Sequence, residues 1–272
     1  MLFERTLAMR VFFSDLDGTL LNDQKEITPR TKQAIDAFVA AGNCFVISTG
    51  RPLPSAIEVQ EHLGLKYPGS YICAYNGAIL YDSTEDRILY ETGIAHDLVQ
   101  PILDLADTWH VHIHAYRDRY IISRKYTEEL EFYLKHIHMP VIINEDILSE
   151  LPGDTWKLLA IDLHDHEQLQ GFHDALLEQL GDYVRPVFSG PHYVDIFPVN
   201  AGKGQSLIQL CRLLQVPVEN SLAAGDEEND LPMLEAAGCG ICMCNGKEEL
   251  KKIADVITRE DNNHDGLLPF LQ

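Results

Sequence analysis

Val11-Phe12-Phe13-Ser14-Asp15-Leu16-Asp17-Gly18-Thr19-Leu20-Leu21 decides how the chain is read: an apolar run of strand type ends in two carboxylates one residue apart, followed by a Gly-Thr turn. Residues i and i+2 of a strand share a side. Asp15 and Asp17 are therefore expected to leave the carboxyl end of the strand together. Carboxylates that close repel each other unless a cation bridges them or one keeps its proton through a raised pKa. A hard divalent ion such as Mg²⁺, which takes few carboxylates and keeps several waters, suits the pair. The arrangement divides the labour, one carboxylate attacking an electrophile and the other moving protons. An acidic strand-end turn is the bland alternative, but the full Asp-Leu-Asp-Gly-Thr-Leu behind a buried-looking strand is far more specific than a bare Asp-x-Asp.

The 272 residues can bury a substantial core as one large domain or two ordinary ones. Hydrophobic content of 46% and charged content of 23% are those of a soluble globular enzyme. The 21 basic and 42 acidic residues leave a net charge of −21, which argues against a nucleic-acid or anionic-membrane partner. An anionic substrate then needs a local pocket of positive charge. No apolar stretch approaches the roughly 20 residues of a membrane helix. The first residues, through Met9, are too short for a signal peptide and read as an N-terminal extension, with Met9 an alternative start. Cys239, Cys242 and Cys244 crowd together, as a buried strand that uses Cys as a small apolar residue would have them. Thiolates favour softer metals than an aspartate site does. The cysteines are expected to be reduced thiols of a cytoplasmic protein.

Around the opening stretch the chain alternates. Thr28-Pro29 opens a helix that Gly42 ends. Cys44 to Ser48 is a second strand, a helix follows from about Pro54 to His62, and Tyr71 to Tyr75 is a third strand turning at Asn76-Gly77 into Ala78 to Tyr81. From about Asp82 to Ser189 the pattern becomes a mixture: a hairpin (Val111 to Tyr116, Tyr120 to Ser123), a helix (Thr127 to about His138), strands at 141–144 and 156–163, and a helix from about Glu167 to Leu180. Beyond Pro198 helix and strand alternate again. The reading is an α/β fold with a doubly wound, mostly parallel sheet. Its core is assigned to residues 1–82 and 190–272, interrupted by an inserted α+β cap at 83–189.

Such a sheet places its chemistry at the carboxyl ends of its strands, and the informative residues follow strands. Ser48-Thr49-Gly50-Arg51 offers a hydroxyl and a glycine N–H, a grip for phosphate, although Thr-Gly after a strand is also an ordinary turn. Lys203, in Asn200-Ala-Gly-Lys203-Gly204, is either an exposed loop lysine or the cation that a phosphate approaching two carboxylates requires. Gly225-Asp226-Glu227-Glu228-Asn229-Asp230 is either a helix start favoured by the dipole or part of an acidic site.

Taken together, these four motifs resemble those of the haloacid dehalogenase superfamily, most closely its Cof-type sugar-phosphatase branch. The resemblance implies that Asp15 attacks phosphorus to give an aspartyl-phosphate, and that Asp17 protonates the leaving alkoxide before activating water. It places Leu16, Thr49, Gly50, Lys203 and Asn229 at the phosphate, and Asp230 behind the site. Mg²⁺ would be held by the Asp15 carboxylate, the Asp17 carbonyl and Asp226. Arg51 would add charge or hold the cap, and the cap with Asn76-Gly77-Ala78 would shape the pocket. The dehalogenases that name the superfamily lack the second Asp, so its presence points to phosphoryl chemistry. Asn245-Gly246 departs from the Asn-Ala usual there.

The expected activity is Mg²⁺-dependent hydrolysis of a small phosphorylated metabolite, with Asp17 carrying a raised pKa when substrate binds. A phosphomutase with the same phospho-aspartate chemistry is the alternative among enzymes, and a phospho-acceptor signalling module the alternative outside them. In the cap, His110, His112 and His114 alternate along a strand and share a face, read as packing or solvent, as substrate contact, or as a metal site. Lys157 and Tyr193 are further candidates near the cap or its hinge.

Overall fold

The computed structural model describes residues 9–135 and 137–272. The expected N-terminal extension, apart from Met9, lies outside the described residues. Strand β1 (Val11–Ser14) is followed by helix α1 (Pro29–Ala40), β2 (Cys44–Ser48), α2 (Leu53–His62), β3 (Tyr71–Ala74), β4 (Ile79–Asp82) and β5 (Arg87–Glu91). A second layer follows: α3 (His96–Thr108), β6 (His112–Arg117), β7 (Tyr120–Ser123), α4 (Glu128–Leu134), β8 (Val141–Ile143), α5 (Ile147–Glu150), β9 (Leu158–Ile161), α6 (His166–Leu180), β10 (Val184–Gly190) and β11 (Tyr193–Pro198). The chain closes with α7 (Lys203–Leu213), β12 (Ser221–Gly225), α8 (Leu231–Ala236), β13 (Cys239–Cys242), α9 (Glu248–Ile253) and β14 (Val256–Ile257).

The first sheet has eight strands in the order β14-β13-β12-β1-β2-β3-β4-β5. Its first six are parallel to their neighbours, and β4 and β5 are antiparallel additions. β1 is central and wholly buried, as a run of Val-Phe-Phe with helices on both faces must be. Phe12 stacks on Phe45 at 5.7 Å and meets Phe38 of α1 edge-on at 6.1 Å. α1 starts where expected, with the Thr28 hydroxyl accepting the Thr31 N–H and Pro29 in the first turn.

The second sheet has six strands in the order β10-β11-β9-β6-β7-β8, antiparallel except for β7-β8. Period-two alternation splits its side chains. Ile113, Ala115, Leu158 and Ala160 pack with α3 and α6, whereas Tyr116, Leu159 and Ile161 join Leu130 and Tyr133 of α4 in the cluster that continues into the first sheet. The cap therefore lays α4 and one sheet face against the core.

The pairing moves both boundaries drawn from sequence. Arg87–Glu91, assigned to the cap, is the edge strand of the first sheet, because it hairpins back along β4. Tyr193–Pro198, assigned to the core, pairs with β9 and β10 in the second sheet. Between β3 and β4 the chain reverses through a tight turn at Tyr75–Gly77, with all three residues at positive φ: 51°, 54° and 92°. Gly77 fits because a Cβ there would stand 2.3 Å from the Gly202 carbonyl oxygen.

Candidate active site

The register of three strands builds the site. Ser14 lies opposite Ala224 on one side and Ile47 on the other, so β1, β2 and β12 end level. Asp15, Thr49 and Asp226, each the first or second residue past those ends, converge. The strand continues for one more bond, from Asp15 N–H to the Ala224 carbonyl at 3.0 Å. The chain then turns over Gly18, whose φ of +83° and close packing demand glycine: a Cβ there would be 2.3 Å from Asp226 Oδ2.

Lys203, at the start of α7, is fully buried and bonds Asp15 Oδ1 at 2.6 Å and Asp230 Oδ1 at 2.5 Å. Burial opposes its charge, but Asp15 and Asp230 outweigh that and hold the ammonium protonated. The other Asp230 oxygen accepts the N–H groups of Asp226 and Glu227 at 3.0 and 3.1 Å. Asp226 Oδ1 accepts the Thr19 hydroxyl at 2.6 Å.

Oxygens of Asp15, Asp226 and Asp230 lie within 4.8 Å of one another. Burial pushes the Asp15 carboxyl well above its ordinary range, with Lys203 pulling down and Asp230 and Asp226 pushing up. Burial likewise raises Asp226 to about 7. Buried carboxylates that hold their protons mark a site short of positive charge. Hard oxygen donors with one lysine among three acids fit a divalent cation of the Mg²⁺ type. Because Asp230 is engaged by Lys203 and two backbone N–H groups, Asp15 and Asp226 are the carboxylates best placed to hold it.

Asp17 departs from expectation. Its side chain turns away from Asp15 to a two-pronged bond with Arg51, Nε to Oδ2 at 2.9 Å and Nη2 to Oδ1 at 2.8 Å, and Lys25 adds a third bond at 2.7 Å. Burial would raise this carboxyl, but the hydrogen bonds and charges of Arg51 and Lys25 bring it below its usual range. The raised Asp17 pKa expected from sequence is thus reversed by two cations, one of them on a loop outside the motifs.

Thr49 is buried, and its hydroxyl oxygen accepts the Arg51 N–H at 3.1 Å. Leu16 buries its side chain and closes the turn through its carbonyl, which accepts the Leu20 and Leu21 N–H groups. Only its backbone N–H is left to offer a phosphate. A cavity of about 890 Å³ opens over these groups, with Asp15, Asp17, Thr49, Gly50, Arg51 and Asn229 on its floor. Lys157, Tyr133, Phe132, His192, Tyr193 and Asp195 of the cap stand opposite.

Asn76 and Gly77, expected to shape the pocket, lie behind its wall. Asn76 Nδ2 donates to Asp195 Oδ2, and its Oδ1 accepts the Asn229 amide, both at 2.9 Å. Lys157 completes the connection: its ammonium sits 2.6 Å from Asp195 Oδ1 and 3.2 Å from the Gly50 carbonyl oxygen.

The three histidines do not act as one set. His110 sits before β6 with φ of 52°, off the strand's alternation. His112 and His114 spend ring nitrogens on each other at 3.1 Å, which leaves no three-histidine cage. Among the described residues, the one group of three or more acids, histidines or cysteines with metal-ligand spacing is Asp15, Asp226 and Asp230. Cys242 is buried with its thiol toward the Met243 carbonyl.

Asp195, Thr19, Lys25 and Tyr133 carry parts of this arrangement and were not picked out from sequence. Asp195 had a signal, a lone acid in the apolar strand Tyr-Val-Asp-Ile-Phe. Thr19 lies inside the opening motif but reads only as part of its turn, and Lys25 and Tyr133 had no signal beyond a polar loop and a place in a helix.

A pair of raised carboxylates beside a buried lysine at the carboxyl edge of a parallel sheet, roofed by a second sheet, defines a class, and the match of residues 12–271 to the model of haloacid dehalogenase-like hydrolases agrees. The chain belongs to that family. Within it the chain is a phosphatase of the Cof type. The 5-amino-6-(5-phospho-D-ribitylamino)uracil phosphatase YitU of Bacillus subtilis is 29% identical over 269 residues, 95% of this chain and 94% of that protein. The crystal structure of TM0651 from Thermotoga maritima is 32% identical with a TM-score of 0.83, covering 97% of this chain and 96% of that one. A haloacid dehalogenase-like hydrolase from Bacteroides thetaiotaomicron is 26% identical with a TM-score of 0.86, over 97% and 98% of the two chains. No helix among the described residues is long and apolar enough to cross a membrane.

Proposed function

We propose that the protein is a Mg²⁺-dependent phosphatase of small phosphorylated metabolites, with sugar or polyol phosphates as its substrate class. The observation that carries this reading is the imbalance at the sheet edge, where one buried lysine faces three buried or half-buried acids under a cavity of about 890 Å³. A divalent cation bound between Asp15 and Asp226 would ionise both carboxylates and neutralise charge on the phosphate oxygens.

Asp15 Oδ2, the oxygen not held by Lys203, attacks phosphorus, and the P–O bond to the leaving group breaks. Lys203 takes up charge on the phosphoryl oxygens, and Thr49, the Leu16 N–H and Asn229 fix them in line with the attacking oxygen. Arg51 exchanges its bonds to Asp17 for bonds to the incoming phosphate. Asp17 thereby loses the larger of the two cationic influences that hold its pKa down, with Lys25 still bound, and its pKa rises toward the range in which it can carry the proton it gives to the departing alkoxide. It recovers a proton from the water that then attacks the aspartyl-phosphate, which releases phosphate and restores Asp15. The name of YitU, a phosphatase of a ribityl phosphate, supports a polyol-bearing leaving group.

Phosphate release from a panel of phosphorylated metabolites, with Mg²⁺ and with chelator, tests the reading. Asp15→Asn is expected to abolish turnover and keep the circular-dichroism spectrum of the parent. Retained hydrolysis by that variant removes Asp15 as nucleophile.

A further inference from the structure

Five side chains of the cap are joined end to end by hydrogen bonds, and none has a part in the phosphoryl transfer above. Thr127 Oγ1, at the N-cap of α4, lies 2.9 Å from His112 Nδ1, and His112 Nε2 lies 3.1 Å from His114 Nδ1. His114 Nε2 is 3.1 Å from the Tyr116 hydroxyl, which is 2.7 Å from the Tyr133 hydroxyl. Alternate positions of β6 supply the middle of the chain, and α4 supplies both ends. His114 and Tyr116 are 0% and 1% exposed, while Tyr133 lines the cavity. Packing alone does not call for this. Polar groups taken out of water stabilise a core only when each finds a partner, and apolar side chains at the same positions would fill the face without that demand.

We propose that this chain positions the Tyr133 hydroxyl as the cap's contact to a hydroxyl of the leaving group, and that it selects polyol esters among the substrates of the phosphatase inferred above. The proposal rests on that phosphatase reading. It adds a binding residue, Tyr133, and positioning residues behind it, His114 and Tyr116.

The proton count shows what such a contact can offer. Each neutral imidazole has one N–H and one bare nitrogen, and each hydroxyl has one hydrogen. The four bonds therefore admit two consistent orders. If every donor points toward Tyr133, the Tyr133 O–H is left to donate into the cavity. If every donor points toward Thr127, Tyr133 spends its proton on Tyr116 and its oxygen accepts from the cavity. The two orders keep every buried group paired, so the cost of reversal is small beside that of leaving a buried group unpaired. Burial keeps both rings neutral, which both orders need: His112 is pushed down to about 4 and His114 well below its ordinary value. A contact that serves as donor or as acceptor matches a hydroxyl, which is both, and sugars and polyols are rich in them.

The location agrees. Tyr133 and Arg51 lie within electrostatic reach of each other, and Arg51 holds Asp17, the proposed proton donor to the leaving oxygen. Tyr193 packs edge-on against the Tyr133 ring at 6.0 Å and lines the same wall. Tyr133 thus lines the cavity on the same side as Arg51 and Asp17.

The test is steady-state kinetics on the full-length protein with Mg²⁺, comparing a panel of sugar and polyol phosphates with 4-nitrophenyl phosphate, whose leaving group carries no alcohol hydroxyl. The readout is the ratio of kcat/KM for the best polyol ester to that for the aryl ester. Tyr133→Phe is expected to lower this ratio about tenfold, chiefly through KM for the polyol ester, the scale of one lost hydrogen bond with its partner left unpaired. Tyr116→Phe, which keeps the ring and cuts the chain, is expected to lower it about threefold in the same way. A ratio unchanged in an active Tyr133→Phe enzyme overturns the proposal, as does equal loss on both ester types. A Tyr116→Phe ratio equal to the parent's overturns the role of the chain. Parent enzyme that takes the aryl ester and no polyol ester also overturns it. Parent enzyme that hydrolyses neither class refutes the phosphatase reading itself, and the proposal falls with it.

Discussion

Asp226 shows how a single residue couples stability to catalysis. Burial first, opposed by the Thr19 hydrogen bond and Lys203 and reinforced by Asp230 and Glu227, lifts its pKa from 3.8 to about 7. Between those values the unfolded chain gives up a proton that the folded protein keeps, so metal-free stability falls as pH rises from about 4 to about 7. Asp226→Asn is therefore expected to melt higher than the parent at pH 8 in chelator, and to lose the rise in Tm that Mg²⁺ gives the parent. Calorimetry with and without Mg²⁺ checks both signs. Lys203→Ala acts oppositely: it strips the buried partner from Asp15 and Asp230 and should cost on the order of 3–5 kcal/mol in denaturant unfolding. Its turnover should fall by at least a hundredfold, the scale of losing one preorganised charge contact. These residues were legible because each follows a strand in a motif. Asp17's partners were not, since Lys25 lies in an unremarkable polar loop and its bond depends on how that loop folds back.

Strand β6 and helix α4 form the element whose pH response is easiest to sign. Burial lowers His112 from 6.5 to about 4, and nearby Glu129 only partly restores it; burial also holds His114 well below its ordinary value, with His112 and Lys157 acting in the same direction. Below about 6.5 the unfolded chain takes up protons that the buried rings refuse, so stability present at neutral pH is lost as pH falls toward about 4. For His112 alone the loss is on the order of 3 kcal/mol at the bottom of the window. Urea unfolding at pH 7.5 and pH 5 is expected to show it, and His112→Asn should flatten the difference. Apart from the edge strands β5 and β14, which the sequence reading does not contain, the elements of the first sheet follow plain rules of capping and apolar runs, and their sequence expectations match within a residue or two. Helix α3 was missed because Ala95 gives it no side-chain cap and Pro101 stands inside it. Strand β10 was missed for the same kind of reason, with Pro186 in its middle and Gly190 at its end. Strand β5 is an exposed edge with a charge at each end and makes sense only once β4 lies beside it.

At the scale of the whole molecule, Lys157 and Asp195 form a buried ion pair on the second layer, with side-chain exposures of 4% and 3%, and fasten it to the first through the Gly50 carbonyl and the Asn76 amide. Lys157→Ala leaves Asp195 uncompensated and cuts the bond to the Gly50 carbonyl, so about 3–5 kcal/mol of stability is expected to go. Amide exchange should quicken at Gly50 and Asn76 before it quickens in β1. Lys157 stands out from sequence as a candidate near the cap or its hinge, but its partner does not, because two strands distant along the chain must pair before the charges meet. The same long-range construction governs the birth of the molecule. β1 finds one neighbour in β2 soon after it is made, yet its other flank waits for β12, which follows the whole cap along the chain. A ribosome making this protein therefore releases an intact cap well before it can release a finished sheet. Until α7 and β12 have followed the cap, the apolar flank of β1 needs shelter, and Asp15 has neither Lys203 nor Asp226 beside it.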